Sequence, residues 1–263
     1  MKLGSFDIIG NIAVLPLYTK NPRRIAKQLM AENKNIKTVY MKSGKIKGRL
    51  RKLQLKYIAG IKTKETVHKE SGCLLKLDVE KCYFSPRMSN DRIEVARQVK
   101  PGEKVLVMFS GIGPYGIVIA KSTKAKEVFM IELNKIASKY AIENIRLNKL
   151  TNVNAVQGDV KRIIPKLRKK IKFDRIIMAR PQLKEDFLEE ALKVSKEGTI
   201  IHFYDFILEN EMPGAALKKI SMAVEKFSKK PGVRIESYKL IRWAKALEIG
   251  PRKWRVRVDF YVF

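Results

Sequence analysis

The sequence predicts an α/β protein, a doubly wound and mostly parallel sheet over residues 84–263 behind a small α+β unit over residues 1–83. Three observations predict it. An apolar run, V-L-V-M-F at 105–109, stops abruptly in S-G-I-G-P-Y-G at 110–116 and passes into a helix-like segment at 117–121. From Glu103 onward the period alternates between strand and helix, and right-handed crossovers turn that alternation into a parallel sheet covered on both faces. The chain then ends in two strand-like runs, 234–243 and 254–263, joined by a basic loop containing Gly250 and Pro251, which suits an antiparallel hairpin on a sheet edge.

In chain order, Ile8 to Leu17 is broken by Gly10 into a strand pair. Asn21-Pro22 then starts a helix that runs to about Glu32, because Asn caps and Pro suits the first turn. Residues 38–58 alternate basic and apolar side chains, with Arg49, Arg51 and Lys52 beside Leu50 and Leu53. That pattern predicts strands with one packed and one cationic face. A merely solvated face would mix in acids, and none occurs between Glu32 and Glu65, so this stretch is a candidate contact for phosphates. Residues 59–72 read as a polar loop, 74–79 as a strand, and a helix with apolar Ile93, Val95, Ala96 and Val99 enters the larger unit. There the expected helices are 136–147, 160–168, 184–195 and 215–227, and a further strand covers 199–204.

The turn after residue 109 carries the chemistry. Gly111, Gly113 and Gly116 fit G-x-G-x-x-G, in which glycine lets the backbone turn tightly and approach a ligand. Alone the pattern serves nicotinamide, flavin and S-adenosylmethionine sites alike, and also fits a loop that uses glycine for turn geometry only. Glu132 closes the next apolar run twenty-one residues after Gly111, where an acid can accept both hydroxyls of a ribose. The third run ends in Gly158-Asp159, an acid placed to meet an adenine amino group, and the fourth in Ala179-Arg180-Pro181, where the substrate would lie. Those strand-end groups favour S-adenosylmethionine over a dehydrogenase cofactor.

Composition bounds the rest. With 263 residues and 45% hydrophobic side chains the chain buries a substantial core. Its formal charge is +30, from 56 Lys and Arg against 26 Asp and Glu, which attracts polyanions. Single lysines spread along helices fit a lysine-rich or heat-adapted protein; the clustered ones need a partner. No apolar run reaches about 18 residues and the N-terminus lacks signal-peptide features, so no membrane contact is expected and the location expected is cytoplasmic. Cys73 and Cys82 read as buried small hydrophobes, and with only His68 and His202 besides them a metal site is not expected.

The motifs F-S-P-R-M-S-N-D-R at 84–92, M-F-S-G-I-G-P-Y-G at 108–116, E-L-N at 132–134, E-N-I-R-L-N-K at 143–149 and I-I-H-F-Y at 200–204 together resemble one family. It is the archaeal and eukaryotic tRNA (guanine37-N1)-methyltransferases, with the archaeal relatives that methylate the wyosine precursor imG-14 (4-demethylwyosine) at the same nucleotide. The resemblance covers nearly the whole chain. It implies a Rossmann-like class I S-adenosylmethionine-dependent methyltransferase domain, and a small domain like the family's middle one without its further N-terminal tRNA-elbow domain. It implies that Arg87 holds the guanine O6, that Asp91 removes the N1 proton and that Arg92 helps hold tRNA phosphate. S-adenosylmethionine would lie against Phe109, Gly111, Gly113, Pro114, Glu132 and Asp159, and the tRNA anticodon loop and stem against Arg49, Arg51, Lys52, Arg180 and Pro181. A monomer is expected.

Three positions depart from the family pattern: Val107 stands where an acid is common, Asp91 where Glu is common, and Ala179-Arg180-Pro181 where Asn-Leu-Pro is common. The last removes an amide facing the base and keeps the wyosine precursor in play as substrate. Two other readings compete. One is the related aminocarboxypropyltransferase of wyosine-derivative synthesis, whose family generally lacks the Arg that stands here as Arg87. The other is a non-catalytic tRNA-binding protein. The acid–base demand is independent of the name: guanine N1 carries a proton at neutral pH, so its attack on a methyl group needs a base and a donor for charge growing on O6. Read from spacing alone, Arg87 and Asp91 equally fit a local ion pair at a helix start.

Overall fold

The computed structural model describes residues 6–44, 48, 53–180 and 185–263. Its first unit is a four-stranded sheet of β1 (Asp7–Ile9), β2 (Ile12–Leu15), β3 (Thr38–Lys42) and β4 (Leu55–Gly60), in that order, with α1 (Pro22–Glu32) between β2 and β3. Ala13, Leu15 and Val39 of the sheet meet Ala26 and Leu29 of the helix in a separate small core. The helix starts where expected, but for a different reason: Asn21 is left-handed, with φ 51°, and its side chain caps nothing, so the fixed φ of Pro22 alone suits the first turn. Within the basic stretch expected as strands over 38–58, β3 and the start of β4 are strand and carry Lys42 and Lys56; Arg49, Arg51 and Lys52 lie outside the described residues.

The polar loop expected over 59–72 is corrected: β5 (Glu65–Glu70) pairs with β6 (Cys73–Asp78) as an antiparallel hairpin. The strand was hidden because its inward side chains, Thr66 and Glu70, are polar yet buried. Thr66 Oγ1 accepts from the Asn11 N–H at 3.1 Å, which ties the hairpin to the first sheet. On its other side, β6 is tied to α4 (Lys135–Leu147): the Asn144 and Asn148 amides, both buried, accept from the backbone N–H groups of Lys76 and Leu74 at 2.7 and 2.9 Å.

The large sheet comprises β7 (Lys104–Met108), β8 (Glu127–Glu132), β9 (Val153–Gln157), β10 (Phe173–Met178), β11 (Ser195–Leu208), β12 (Tyr238–Gly250) and β13 (Lys253–Val262). Its order is β12-β13-β11-β10-β7-β8-β9, parallel from β11 to β9 and antiparallel at the last two strands. Alternate residues of the central strands feed two cores: Val105, Val107 and Met130 face one, Leu106, Met108 and Ile176 the other. The first packs α2 (Ser89–Ala96) and α3 (Pro114–Ser122), the second α5 (Val160–Leu167), α6 (Leu188–Lys193) and α7 (Gly214–Ser228). The helix expected over 184–195 is shorter, because Ser195 already belongs to β11, which runs to Leu208 rather than stopping at 204. The terminal hairpin is present, with its turn reduced to Pro251 and Arg252. No helix among the described residues is long and apolar enough to cross a membrane.

Candidate active site

Strand order reverses at β7, which has β8 on one side and β10 on the other. The crevice beyond the carboxyl ends of such strands is where doubly wound sheets hold ligands. The glycine turn occupies it. Gly111 and Gly113 have φ of 59° and 88°, the region that favours glycine, and Phe109 shares it at 60°. A Cβ on Gly116 would stand 2.4 Å from Met130 Sδ, so α3 approaches the sheet as closely as it does only without a side chain there. Pro114 is the first residue of α3, and Phe109 packs edge-on against Phe187 at 5.1 Å.

Glu132, at the end of β8, accepts from the Gly111 N–H at 2.7 Å and the Asn134 N–H at 2.6 Å, so its carboxylate is aimed at the turn. Burial raises its pKa above the ordinary carboxylate value, while those N–H groups and the nearby Arg180 guanidinium pull the other way. Ser110 Oγ is buried beside it without a hydrogen-bond partner among the described residues. A glycine turn, an aimed acid and an orphaned hydroxyl fit S-adenosylmethionine. Asp159 has a structural task as well: it N-caps α5, accepting from the Lys161 N–H at 3.0 Å. Glu132→Ala is expected to weaken S-adenosylmethionine binding by about 1.5–3 kcal/mol, the worth of hydrogen bonds to a charged group. Calorimetry showing unchanged affinity would move the cofactor elsewhere.

Arg87 and Asp91 share a segment but diverge from it. Arg87 points outward, its side chain 45% exposed, and its Nε donates to Asp7 Oδ1 at 2.7 Å, bridging to the first unit. Asp91 points inward and is 5% exposed. Its Oδ2 accepts from the hydroxyls of Tyr115 (2.5 Å) and Tyr204 (2.6 Å), and its Oδ1 from Arg257 Nη1. Tyr204 lies on β11 one residue beyond the Met178–Phe203 pair, so the carboxylate stands level with Ala179 at the same strand ends as the glycine turn. Arg255 closes that level, with Nη2 donating to the Ala179 carbonyl at 3.0 Å and its guanidinium 4.5 Å from the Tyr204 ring centre.

Arg92 is a correction. It is 2% exposed and gives Nε and Nη2 to the two oxygens of buried Glu70 at 2.5 and 2.6 Å, with a further bond to the Ser85 carbonyl at 3.1 Å. A guanidinium so enclosed, with Nε and Nη2 both on Glu70, bolts α2 to the β5–β6 hairpin rather than standing open to an RNA phosphate. Arg180 stays close to Glu132, and Pro181 lies outside the described residues. Tyr115, Tyr204, Arg255 and Arg257 were missed as site residues. The signal was the alternation R-V-R-V-D at 255–259, which reads as a solvated strand face until its partners are known.

The strand order, the turn at its switch point and the antiparallel terminal hairpin define a class I S-adenosylmethionine-dependent methyltransferase fold. The profile of the TRM5/TYW2 methyltransferase domain matches residues 66–233, and that of the TYW2 N-terminal domain residues 3–63. The chain belongs to the TRM5/TYW2 methyltransferase family. It is 40% identical to the tRNA (guanine(37)-N(1))-methyltransferase Trm5b of Pyrococcus abyssi over 98% of this chain and 74% of that one. It is 32% identical to the tRNA (guanine(37)-N(1))/4-demethylwyosine(37)-methyltransferase Taw22 of Nanoarchaeum equitans, over 98% and 99%. A Pyrococcus horikoshii tRNA(Phe) (4-demethylwyosine(37)-C(7)) aminocarboxypropyltransferase is 34% identical over 97% and 88%. Among solved structures, the P. abyssi Trm5b crystal structure superimposes with a TM-score of 0.85 at 37% identity, covering 98% of this chain and 75% of that one. A complex of aTrm5 with tRNALeu gives 0.82 at 26%, covering 99% and 72%.

Proposed function

We propose that this protein transfers a methyl group from S-adenosylmethionine to N1 of guanosine 37 in tRNA, with 4-demethylwyosine at the same position as a second substrate. The observation that carries the reading is the placement of the Asp91 carboxylate at the strand ends that also carry the glycine turn and Glu132. When bound, S-adenosylmethionine supplies the electrophilic methyl. Asp91 receives the N1 proton, one tyrosine hydroxyl giving up its bond to make room. Tyr115, Tyr204 and Arg257 fix the carboxylate beforehand, so the turning of that one hydroxyl is the rearrangement needed as the proton moves. Arg87 donates to O6. Leaving Asp7 costs it little, because an ion pair this exposed is worth about 0–1 kcal/mol. Arg180, which follows Ala179 where relatives of this pattern carry an amide, stands by Glu132 and borders both cofactor and base. Arg49, Arg51 and Lys52 are assigned to tRNA phosphates, Pro181 to tRNA binding, and the enzyme is taken to act as a cytoplasmic monomer.

The aminocarboxypropyl reading has two observations in its favour, the match of residues 3–63 to the TYW2 N-terminal domain and the 34% identity to the Pyrococcus horikoshii aminocarboxypropyltransferase. Nucleoside mass spectrometry of tRNA incubated with the protein and S-adenosylmethionine separates the two. Methylated guanosine or methylated wyosine precursor is the expected product. An aminocarboxypropyl adduct would replace this reading, and unmodified tRNA carrying either nucleoside at position 37 would end both.

A further inference from the structure

A basic concavity lies at the end of the large sheet opposite the glycine turn, where β10 begins at Phe173 and β11 at Ser195. It is a cleft of about 840 Å³ between the residues that follow α5, the α6–β11 junction and the segment after α7. β10 is six residues long, so at roughly 3.3 Å per residue the cleft is about 20 Å from the crevice that holds the glycine turn. Its lining carries seven Lys and Arg side chains against one acid, Glu197.

Three of those cations are neutralised: Lys193 by Glu189 and Glu190, Lys230 by Glu189, and Lys196 by Asp174. Arg168, Lys169 and Arg234 pair with no carboxylate among the described residues, and Lys172 reaches only a backbone carbonyl, that of Lys193, at 2.9 Å. Burial and the Arg168 guanidinium beside it push the Lys172 pKa below its ordinary value, as expected of cations held together without counter-charge. A solvated helix face would spread such side chains over a convex surface. Here they converge on a concavity whose floor is apolar, from Leu192 and Ile235, and which offers an anion several donors at once.

We infer that this cleft is a second RNA site, one that grips phosphodiester backbone away from the nucleotide being modified. It rests on the reading of RNA as substrate but makes no use of the catalytic residues. Backbone contact through Lys and Arg is read in salt dependence, at roughly 0.7–0.9 units of slope per phosphate neutralised.

The test compares the parent with the triple variant Arg168→Glu, Lys169→Glu and Arg234→Glu, measuring equilibrium binding of a full tRNA transcript between about 50 and 200 mM salt. These side chains are exposed, so thermal unfolding should match the parent. The expected result is a salt slope lower by roughly two to three units, with S-adenosylmethionine affinity unchanged. Equal slopes and affinities would overturn the inference while leaving the proposed methylation intact. A variant with weakened RNA binding, in a protein that methylates no tRNA, would support the inference and remove the proposed function instead. If inorganic pyrophosphate binding were lost but RNA binding kept, the cleft would be a small-anion site and the inference wrong.

Discussion

Asp91→Asn is expected to slow single-turnover methylation of tRNA by about 10²- to 10⁴-fold, the usual worth of a positioned general base. The substitution keeps the shape of the side chain and removes its ability to take a proton. In the parent the rate should fall on the acid side, because a protonated carboxyl cannot accept a second proton; in the variant that dependence should vanish. The readout matters, because Asp91 is also structural. Its two oxygens receive two tyrosine hydroxyls and a guanidinium, and an amide nitrogen in place of one oxygen would face a donor. The variant should therefore also melt lower, and the rate is to be measured where it is still folded. Tyr204→Phe is the companion: it removes one donor to Asp91 and keeps the ring beneath Arg255. It should retain the acid-side dependence that Asp91→Asn loses. Methylation by Asp91→Asn at the parental rate would make the carboxylate a positioning residue only.

The fold was legible where periodicity had nothing to compete with. The run at 105–109, the glycine turn and the strand–helix alternation after it required no knowledge of distant residues, and β7 through β10 appear where the pattern put them. Legibility failed wherever burial is satisfied by polar partners from elsewhere in the chain. In β5 the inward side chains are Thr66 and Glu70, held by Asn11 and Arg92, so no apolar alternation marked a strand. Arg92 looked free for phosphate because nothing in its neighbourhood of sequence announces Glu70, twenty-two residues earlier. The same blindness hid the environment of Asp91. Arg255, Arg257 and Asp259 alternate with Trp254, Val256 and Val258, a pattern that ordinarily means one solvated face, yet all three charged residues are 3% exposed or less. The buried face is recognisable only when β13 is placed beside β11 and α2, a juxtaposition of residues 91, 204 and 257 that no local window contains.

That buried face supports the largest expected loss of stability. Asp259 is fully buried and collects three donors: Arg257 Nε at 2.9 Å, Arg242 Nε at 3.0 Å and the Nδ1 of His202 at 2.7 Å. The histidine tautomer follows from chemistry. Arg175 Nη1 stands 2.9 Å from His202 Nε2, and a guanidinium can only donate, so Nε2 accepts and Nδ1 carries the hydrogen given to Asp259. Burial, with Arg175 and Arg257 close by, lowers the His202 pKa despite Asp259, so the ring is neutral at neutral pH. Asp259→Ala strands Arg257 Nε and the His202 N–H without acceptors in a site that excludes water. Removing one partner of a buried ion pair costs about 3–5 kcal/mol, which for a chain of this length lowers Tm by roughly 10 °C. Burial opposes ionisation of Asp259, but its bonds to His202, Arg257 and Arg242 win and hold its pKa well below the carboxylate range. A depressed folded-state pKa contributes stability that is complete above the unfolded value of about 3.9 and is lost only as pH falls toward the folded one. The gap in Tm between parent and Asp259→Ala should accordingly be constant from neutral pH down to about pH 5 and close below about pH 4. The control is Glu225→Ala, whose partner Lys229 is one turn away on the surface, and there Tm should stay at the parental value. If Asp259→Ala melted within 2 °C of the parent at neutral pH, the charges at 175, 257 and 259 would not be the keystone of this sheet edge, and the anchoring of Asp91 through Arg257 would lose its support.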